Sequence, residues 1–356
     1  MEPWDDQENA SFDSIAGAAS PLELKQCRIA WQTLLLQQLN DVPIEQWLSR
    51  TNRMHDAVAE RAVRLCEAEM IEAGYGPPPC AFSFVVFGSA GRREAILWSD
   101  QDNGLLIEGE PSEAKRVWFG AFGRKLSDLL ETLGYEKCSG KVMCSEPMWA
   151  RTMREWKEQL DGWAAAQEWE PVRYLIIASD MRHVAGSERL AEEWREYYME
   201  GFLRNPGLHT AVLRNTVRHK ATLNLLGQVL TERFGDHAGG FDVKYGVYIP
   251  LVNSVRQEAL RSGIRETSTL GRLEQLGAAD RRGVQEGVRS AFLTALRFRA
   301  GTPYETKDGL LVSSDYMPQS QLKNKQRMSE LRDSLLVVRR IHRALQRRLR
   351  QEERRQ

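Results

Sequence analysis

Residues 82–108 read FSFVVFGSAGRREAILWSDQDNGLLIE. The segment opens on an apolar run, Phe82 to Phe87, rich in aromatic and β-branched side chains, which predicts a buried strand. The run stops at Gly88-Ser89, and Ala90-Gly91 keep the side chains small for two further positions. About ten residues later, Asp100-Gln101-Asp102 precedes a second apolar run, Leu105-Leu106-Ile107, which reads as a neighbouring strand.

The chemistry of this stretch follows from strand geometry. Side chains at i and i+2 of a strand point the same way, so Asp100 and Asp102 present two carboxylates on one side of the strand's start. Gly88 and Ser89 end the preceding strand, where a glycine lets backbone N–H groups approach a bound anion. Two carboxylates facing a phosphate-sized cradle suit Mg²⁺-dependent phosphoryl or nucleotidyl transfer. Mg²⁺ prefers one or two carboxylates plus substrate phosphates to an all-protein cage, and two such ions about 4 Å apart can clamp the attacking and leaving oxygens.

A bare D-x-D is more often a solvated turn than a site, so the surroundings decide. An EF-hand loop is excluded, because its fifth position here is Gly104 and its sixth is Leu105, where Asp or Asn and then Gly are needed. No G-x-x-x-x-G-K-[ST] occurs, which excludes a P-loop. What remains is the ordered combination of strand, Gly-Ser, a spacer with Arg92, Arg93 and Glu94, D-x-D and strand. That combination resembles the nucleotidyltransferase superfamily with the DNA polymerase β-like fold. The fuller string FGSAGRREAILWSDQDNGLL resembles more closely one branch of it, the nucleotidyltransferase domain of bacterial signal-transduction proteins related to PII-protein uridylyltransferase. Gln101 departs from the superfamily's usual apolar residue, but this branch favours glutamine there.

The totals are those of an ordinary globular protein. A chain of 356 residues can bury two or three cores. With 42% apolar and 28% charged residues, wholesale disorder is excluded. Lys+Arg and Asp+Glu are both 49, so no global field favours nucleic acid or a membrane surface. The ends are lopsided, with Glu2, Asp5, Asp6, Glu8 and Asp13 at the start and an arginine-rich finish. The five cysteines lack zinc spacing and read as reduced thiols. No apolar run approaches ~18 residues and no signal peptide opens the chain, so a cytoplasmic location is expected.

Along the chain, residues 1–20 read as a disordered tail and 21–78 as a helical segment, with helices from Pro21, from Pro43 to Ser49 and from Arg50 to Ala73. Residues 79–186 form the expected catalytic domain. Within it an amphipathic helix runs from Ser112 to Leu133, stopped by Gly134, and a loop with a short strand follows over 134–143. Val172 to Ser179 (VRYLIIAS) reads as a third strand ending at Asp180. Residues 187–356 read as an almost wholly helical domain, with helices near 187–203, 207–234, 247–262, 269–278, 281–300 and 320–352. The fold class is therefore α+β: a small polymerase β-like α/β domain with a mixed sheet, preceded by helices and followed by an all-helical domain.

Other residues enter as candidates beside their plainer readings. Asp180 is a turn residue anchoring Arg182, or a third carboxylate acting as general base or metal ligand. The local SDMRHVAGS resembles the family's Asp-x-Arg-x-x-x-Gly segment. Ser89 is expected at the β- and γ-phosphates, and Arg92 at the triphosphate or bracing the carboxylates, with Glu94 as a brace. CSGKVMCSEPMWARTMREW, from Cys138 to Trp156, resembles the same family's Cys-x-Gly-x-x-Met…Trp signature. Met143 and Trp149 are expected in the core, and Lys141 is a weaker phosphate candidate.

From Phe241 to Leu276 the likeness is to the family's C-terminal helical domain, with Asp242, Lys244, Gly246, Pro250, Arg256, Thr269, Arg272 and Leu273 at matching positions. Lys244 reaches a triphosphate or makes an interdomain salt bridge. His219-Lys220 reads as a solvated helix face, and the terminal helix as packed on its domain with a basic outer face.

The resemblance spans about residues 20 to 350 and implies a Mg²⁺-dependent nucleotidyltransferase. An NTP (UTP or ATP) would bind between the α/β and helical domains, and its α-phosphate would be attacked by an acceptor hydroxyl on a regulatory protein of the PII type. Asp100 and Asp102 would hold the metals, Gly88, Ser89, Arg92 and Lys244 would contact the nucleotide, and Asp180 would assist the hydroxyl. Family members often carry sensing modules ahead of the transferase; here sensing is expected to come from elsewhere. The alternatives are a small-molecule nucleotidyltransferase and a non-catalytic nucleotide-sensing or scaffolding protein.

Overall fold

The computed structural model describes residues 12–217, 223, 228–277 and 284–354. Two compact units make up the chain. The first holds residues 1–162, 177–198 and 306–311, and the second holds 163–176, 199–305 and 312–356. The first unit thus takes in the N-terminal helical segment together with the sheet.

Its helices begin where the sequence supplies caps. α1 (Pro21–Gln38) starts at Ser20, whose hydroxyl accepts from Glu23 N–H, with Pro21 in the first turn where no N–H is missed. α2 (Ile44–Glu72) is one continuous helix of 29 residues, where the sequence reading expects a break at residue 50. No glycine or proline interrupts it, and its stripe of Trp47, Met54, Val58, Ala62 and Met70 is buried without a gap. Of the expected tail, residues 1–11 lie outside the described residues, whereas residues 12–17 are helical with Ile15 fully buried.

The sheet has the order β3-β2-β1-β4. β1 (Phe82–Val86) lies centrally, antiparallel to β2 (Asn103–Ile107) and to β4 (Arg182–Gly186). β3 (Ala150–Thr152) runs parallel to β2, so the sheet is mixed as expected. Every residue of β1 and β2 is buried. α3 (Glu113–Thr132) is capped by Ser112 and lays Phe119 and Phe122 edge-on to Phe82, with ring centroids 5.5 and 5.4 Å apart.

Two strand expectations are corrected. VRYLIIAS is not a strand: Val172 to Ala178 belong to α5 (Trp169–Ala178), which follows α4 (Met153–Ala166), and Ser179 falls in the turn after it. An apolar run of this length fits either period, and here Trp169 and Glu170 start it as a helix that leaves Asp180 in the turn before β4. The short strand expected within 134–143 is displaced to Ala150–Thr152, while Val142 only accepts a bond from Asn103 N–H at 3.0 Å.

α6 (Glu188–Arg204) leads into the second unit, which is helical but not wholly so. It holds α7 (Pro206–Thr216), α8 (Ile249–Arg261), α9 (Thr269–Gly277), α10 (Val284–Ala300) and α11 (Lys325–Glu353). A π-helical turn, Lys244–Tyr248, runs directly into α8. Residues 218–222 and 224–227, including His219 and Lys220, lie outside the described residues. The helix expected to reach 234 has no helical residue among those described from 228 to 234. Short strands not expected from the sequence also occur: β5 (Phe241–Asp242) pairs with β8 (Tyr316–Met317), and β6 (Tyr304–Lys307) with β7 (Leu310–Ser313). Among the described residues no helix is long and apolar enough to cross a membrane.

Candidate functional site

The end of β1 and the start of β2 are neighbours by register, Val86 opposite Asn103, and Phe87 N–H donates to the Asp102 carbonyl at 2.8 Å. The Gly-Ser turn and the D-x-D segment are therefore brought together, though only 11 positions separate Ser89 from Asp100. Gly88 adopts φ +56°, and a Cβ there would overlap the Asp102 Oδ2 atom. Only glycine satisfies both the left-handed backbone and the close carboxylate. Gly88–Gly91 then form a single helical turn.

Asp100 and Asp102 are half-buried while Gln101 between them is 2% exposed. Gln101 Nε2 donates to the carbonyls of Ser127 and Tyr135, and its Oε1 accepts from Ser127 Oγ. The middle residue thus anchors the segment in the core, just ahead of β2. A cavity of about 40 Å³ is lined by both aspartates together with His55, Asp56, Ala90 and Tyr135. Burial, followed by the charges of Asp102 and Asp100, pushes the Cys138 thiol up to about 11, so it stays protonated beside the pair.

A second carboxylate group in the same unit is treated differently. Arg92 is 3% exposed and donates from Nε to Glu94 at 2.8 Å and from Nη1 to Asp180 at 2.6 Å. Glu94 and Asp180 are 3% and 1% exposed. A Cβ on Gly91 would overlap the Asp180 carbonyl oxygen, so the turn before β4 packs directly on the Gly-Ser turn. The anchoring expected between Asp180 and Arg182 is not the one formed. Arg182 instead forks onto Asp56 of α2 at 2.7 and 2.9 Å and donates to the Ala90 carbonyl at 2.9 Å.

Beneath this lies a buried polar cluster. His55 Nε2 donates to the Ile96 carbonyl at 2.7 Å, which leaves Nδ1 to accept from Tyr135 hydroxyl at 2.8 Å. The Arg28 guanidinium stacks 3.8 Å from the Tyr135 ring centre and donates to the Leu133 carbonyl. Burial, reinforced by the Arg28 charge, pushes His55 down to about 3, so the imidazole is neutral.

The remaining candidates fall elsewhere. Met143 and Trp149 are core residues, the latter with its ring 5.0 Å from Phe87. In the second unit, Lys244 Nζ lies 3.5 Å from Asp315, which also accepts from Arg299 at 3.1 Å. Gly246 packs on the Phe241 ring, and Arg256, Thr269 and Arg272 are buried, so these matching positions are internal structure of that unit.

Asp56, His55, Tyr135 and Cys138 were not singled out as site residues from the sequence. The first two carried one usable sign, adjacent polar residues between the apolar Met54 and Val58 of the helix.

The Gly-Ser turn lies against the Asp102 carboxylate on a small mixed sheet flanked by helices. Two family matches name the class of protein that carries this fold. Residues 31–170 match the putative nucleotidyltransferase DUF294, and residues 206–349 match the putative nucleotidyltransferase substrate binding domain. The chain belongs to this nucleotidyltransferase family, and carries both of its parts in order. No curated protein matches the chain.

Among the described residues no group of three or more His, Cys, Asp and Glu side chains could cage a metal. The candidate donors are two half-buried carboxylates, of which Asp102 lies against a glycine with no Cβ. That set fits a hard cation whose remaining ligands come from phosphate and water.

Proposed function

We propose that the protein transfers a nucleoside monophosphate from an NTP, UTP or ATP, to a hydroxyl on a regulatory protein, with Mg²⁺ held by Asp100 and Asp102. The observation that carries this reading is the contact of Gly88 with the Asp102 carboxylate, which joins an anion cradle to a cation-binding pair. In the reaction the acceptor oxygen bonds to the α-phosphorus, the bond to the bridging oxygen breaks, pyrophosphate leaves and the hydroxyl proton passes to solvent. Mg²⁺, when bound, supplies neutralisation of the phosphate charge.

The chain's own groups orient. Backbone N–H groups of the Gly88-Ser89 turn and the Ser89 hydroxyl face the terminal phosphates. Arg182 and Asp56 hold that turn from below through the Ala90 carbonyl. Burial of Asp180 against Arg92 favours a bracing role for both residues over contact with the hydroxyl or the triphosphate.

The test is transfer itself. Incubation with α-labelled NTP and cell extract should label a protein band with the wild type and not with Asp100→Asn. Label appearing only on small molecules, or on no species at all, would refute the protein-acceptor reading.

A further inference from the structure

The first unit contains a second, larger cavity that shares no lining residue with the one at Asp100 and Asp102. It measures about 220 Å³ and opens where α3 begins, bounded by the 144–147 loop and β3. Ile107 lines it at the far end of β2, five residues beyond Asp102, or ~17 Å along an extended strand. It is therefore not an extension of the proposed transfer site.

Its charge is distinctive. Lys115, Arg116, Arg124 and Arg151 line it, against Glu146 and Glu155. Glu155 is engaged locally, accepting from the Thr152 N–H at 2.9 Å and the Thr152 hydroxyl at 2.8 Å. Lys115 is held at the rim by the carbonyls of Glu108 and Glu110, which leaves its charge uncancelled. Arg116 pairs with exposed Glu113. Arg124 and Arg151 have no carboxylate partner among the described residues. Arg151 Nε, shielded from solvent, meets no acceptor there either. A shielded donor left unbonded costs about 1–3 kcal/mol, and two guanidinium groups with no carboxylate partner facing one cavity repel each other. Both penalties are relieved by an oxyanion, which guanidinium groups bind in a fork.

We propose that this cavity is a binding site for a small metabolite carrying two or more anionic oxygens, a phosphate ester or a polycarboxylate, gripped by Arg124 and Arg151. The proposal is independent of the transferase reading. Its wall is tied to the D-x-D strand: Cys144 N–H donates to Asn103 Oδ1 at 2.8 Å, and Asn103 N–H to the Val142 carbonyl at 3.0 Å. A ligand ordering the 144–147 loop thus acts on the residue next to Asp102.

Calorimetric titration of the full chain with citrate and, separately, glycerol 3-phosphate, in EDTA, tests the site. One of the two should bind with Kd below about 1 mM, equally to wild type and to Asp100→Asn/Asp102→Asn. Affinity should fall roughly tenfold or more in Arg124→Gln/Arg151→Gln. Should the Arg151 change prevent folding, Arg124→Glu alone, at an exposed position, should give the same loss. The probe that binds distinguishes phosphate ester from polycarboxylate. Binding of neither probe, binding unchanged in the arginine variants, or binding lost in the aspartate variant would each overturn the proposal.

Discussion

Within one small unit, two sets of carboxylates have opposite fates. Glu94 and Asp180 are buried and share the Arg92 guanidinium, so their charge is spent inside the protein. Asp100 and Asp102 are half-buried and line a cavity, with Asp102 against Gly88. The first set is the kind of buried ion network whose loss of one member is costly. The second sits partly open to solvent beside the Gly-Ser turn. The contrast separates what holds the Gly-Ser turn from what uses it, and substitutions can break either side.

The largest effect is expected from Arg92→Ala. It leaves Glu94 and Asp180 buried without their shared cation, which should cost about 3–5 kcal/mol of stability, read by chemical denaturation. Gly88→Ala comes next. Its left-handed backbone and the overlap with Asp102 should together cost about 2–3 kcal/mol. Unlike Arg92→Ala, it should reduce transfer even where the protein remains fully folded, because Asp102 must move.

A smaller effect is set by pH. His55 is held near 3 in the folded protein by burial, below its ordinary 6.5. Its neutral form stabilises the fold fully above pH ~6.5, and stability is lost as pH falls towards the folded value. About 2 kcal/mol should be gone by pH 5. Denaturation midpoints from pH 7.5 to pH 4.5 should show this slope, and His55→Gln should flatten it.

How much of this was legible beforehand follows from range. The β1 strand, the D-x-D segment and the helix opening at Ser112 are written in contiguous residues, and the structure has each close to where the spacing puts it. Gly88 and Asp102 meet because a short spacer joins adjacent strands, so their proximity was also readable. The ion pairs beneath were not. Asp180 lies 88 positions from Arg92, and Asp56 lies 126 from Arg182, so no local pattern reports either pairing. VRYLIIAS misled because a short apolar run fits a buried strand and a buried helix alike, and only its flanks decide. The small strands near residues 241 and 304–317 escaped for the opposite reason: two to four residues are too few to show a period.

The central claim is that Asp100 and Asp102 hold a cation for a nucleotide and contribute nothing essential to the fold. Equilibrium binding of ATP, UTP, GTP and CTP in turn, with and without Mg²⁺, tests it directly in the wild type and in Asp100→Asn/Asp102→Asn. Mg²⁺-dependent binding of a nucleotide, absent from the double variant while its unfolding free energy changes by no more than about 0.5 kcal/mol, is the predicted result. Nucleotide binding that is indifferent to Mg²⁺, or that survives in the double variant, would contradict it.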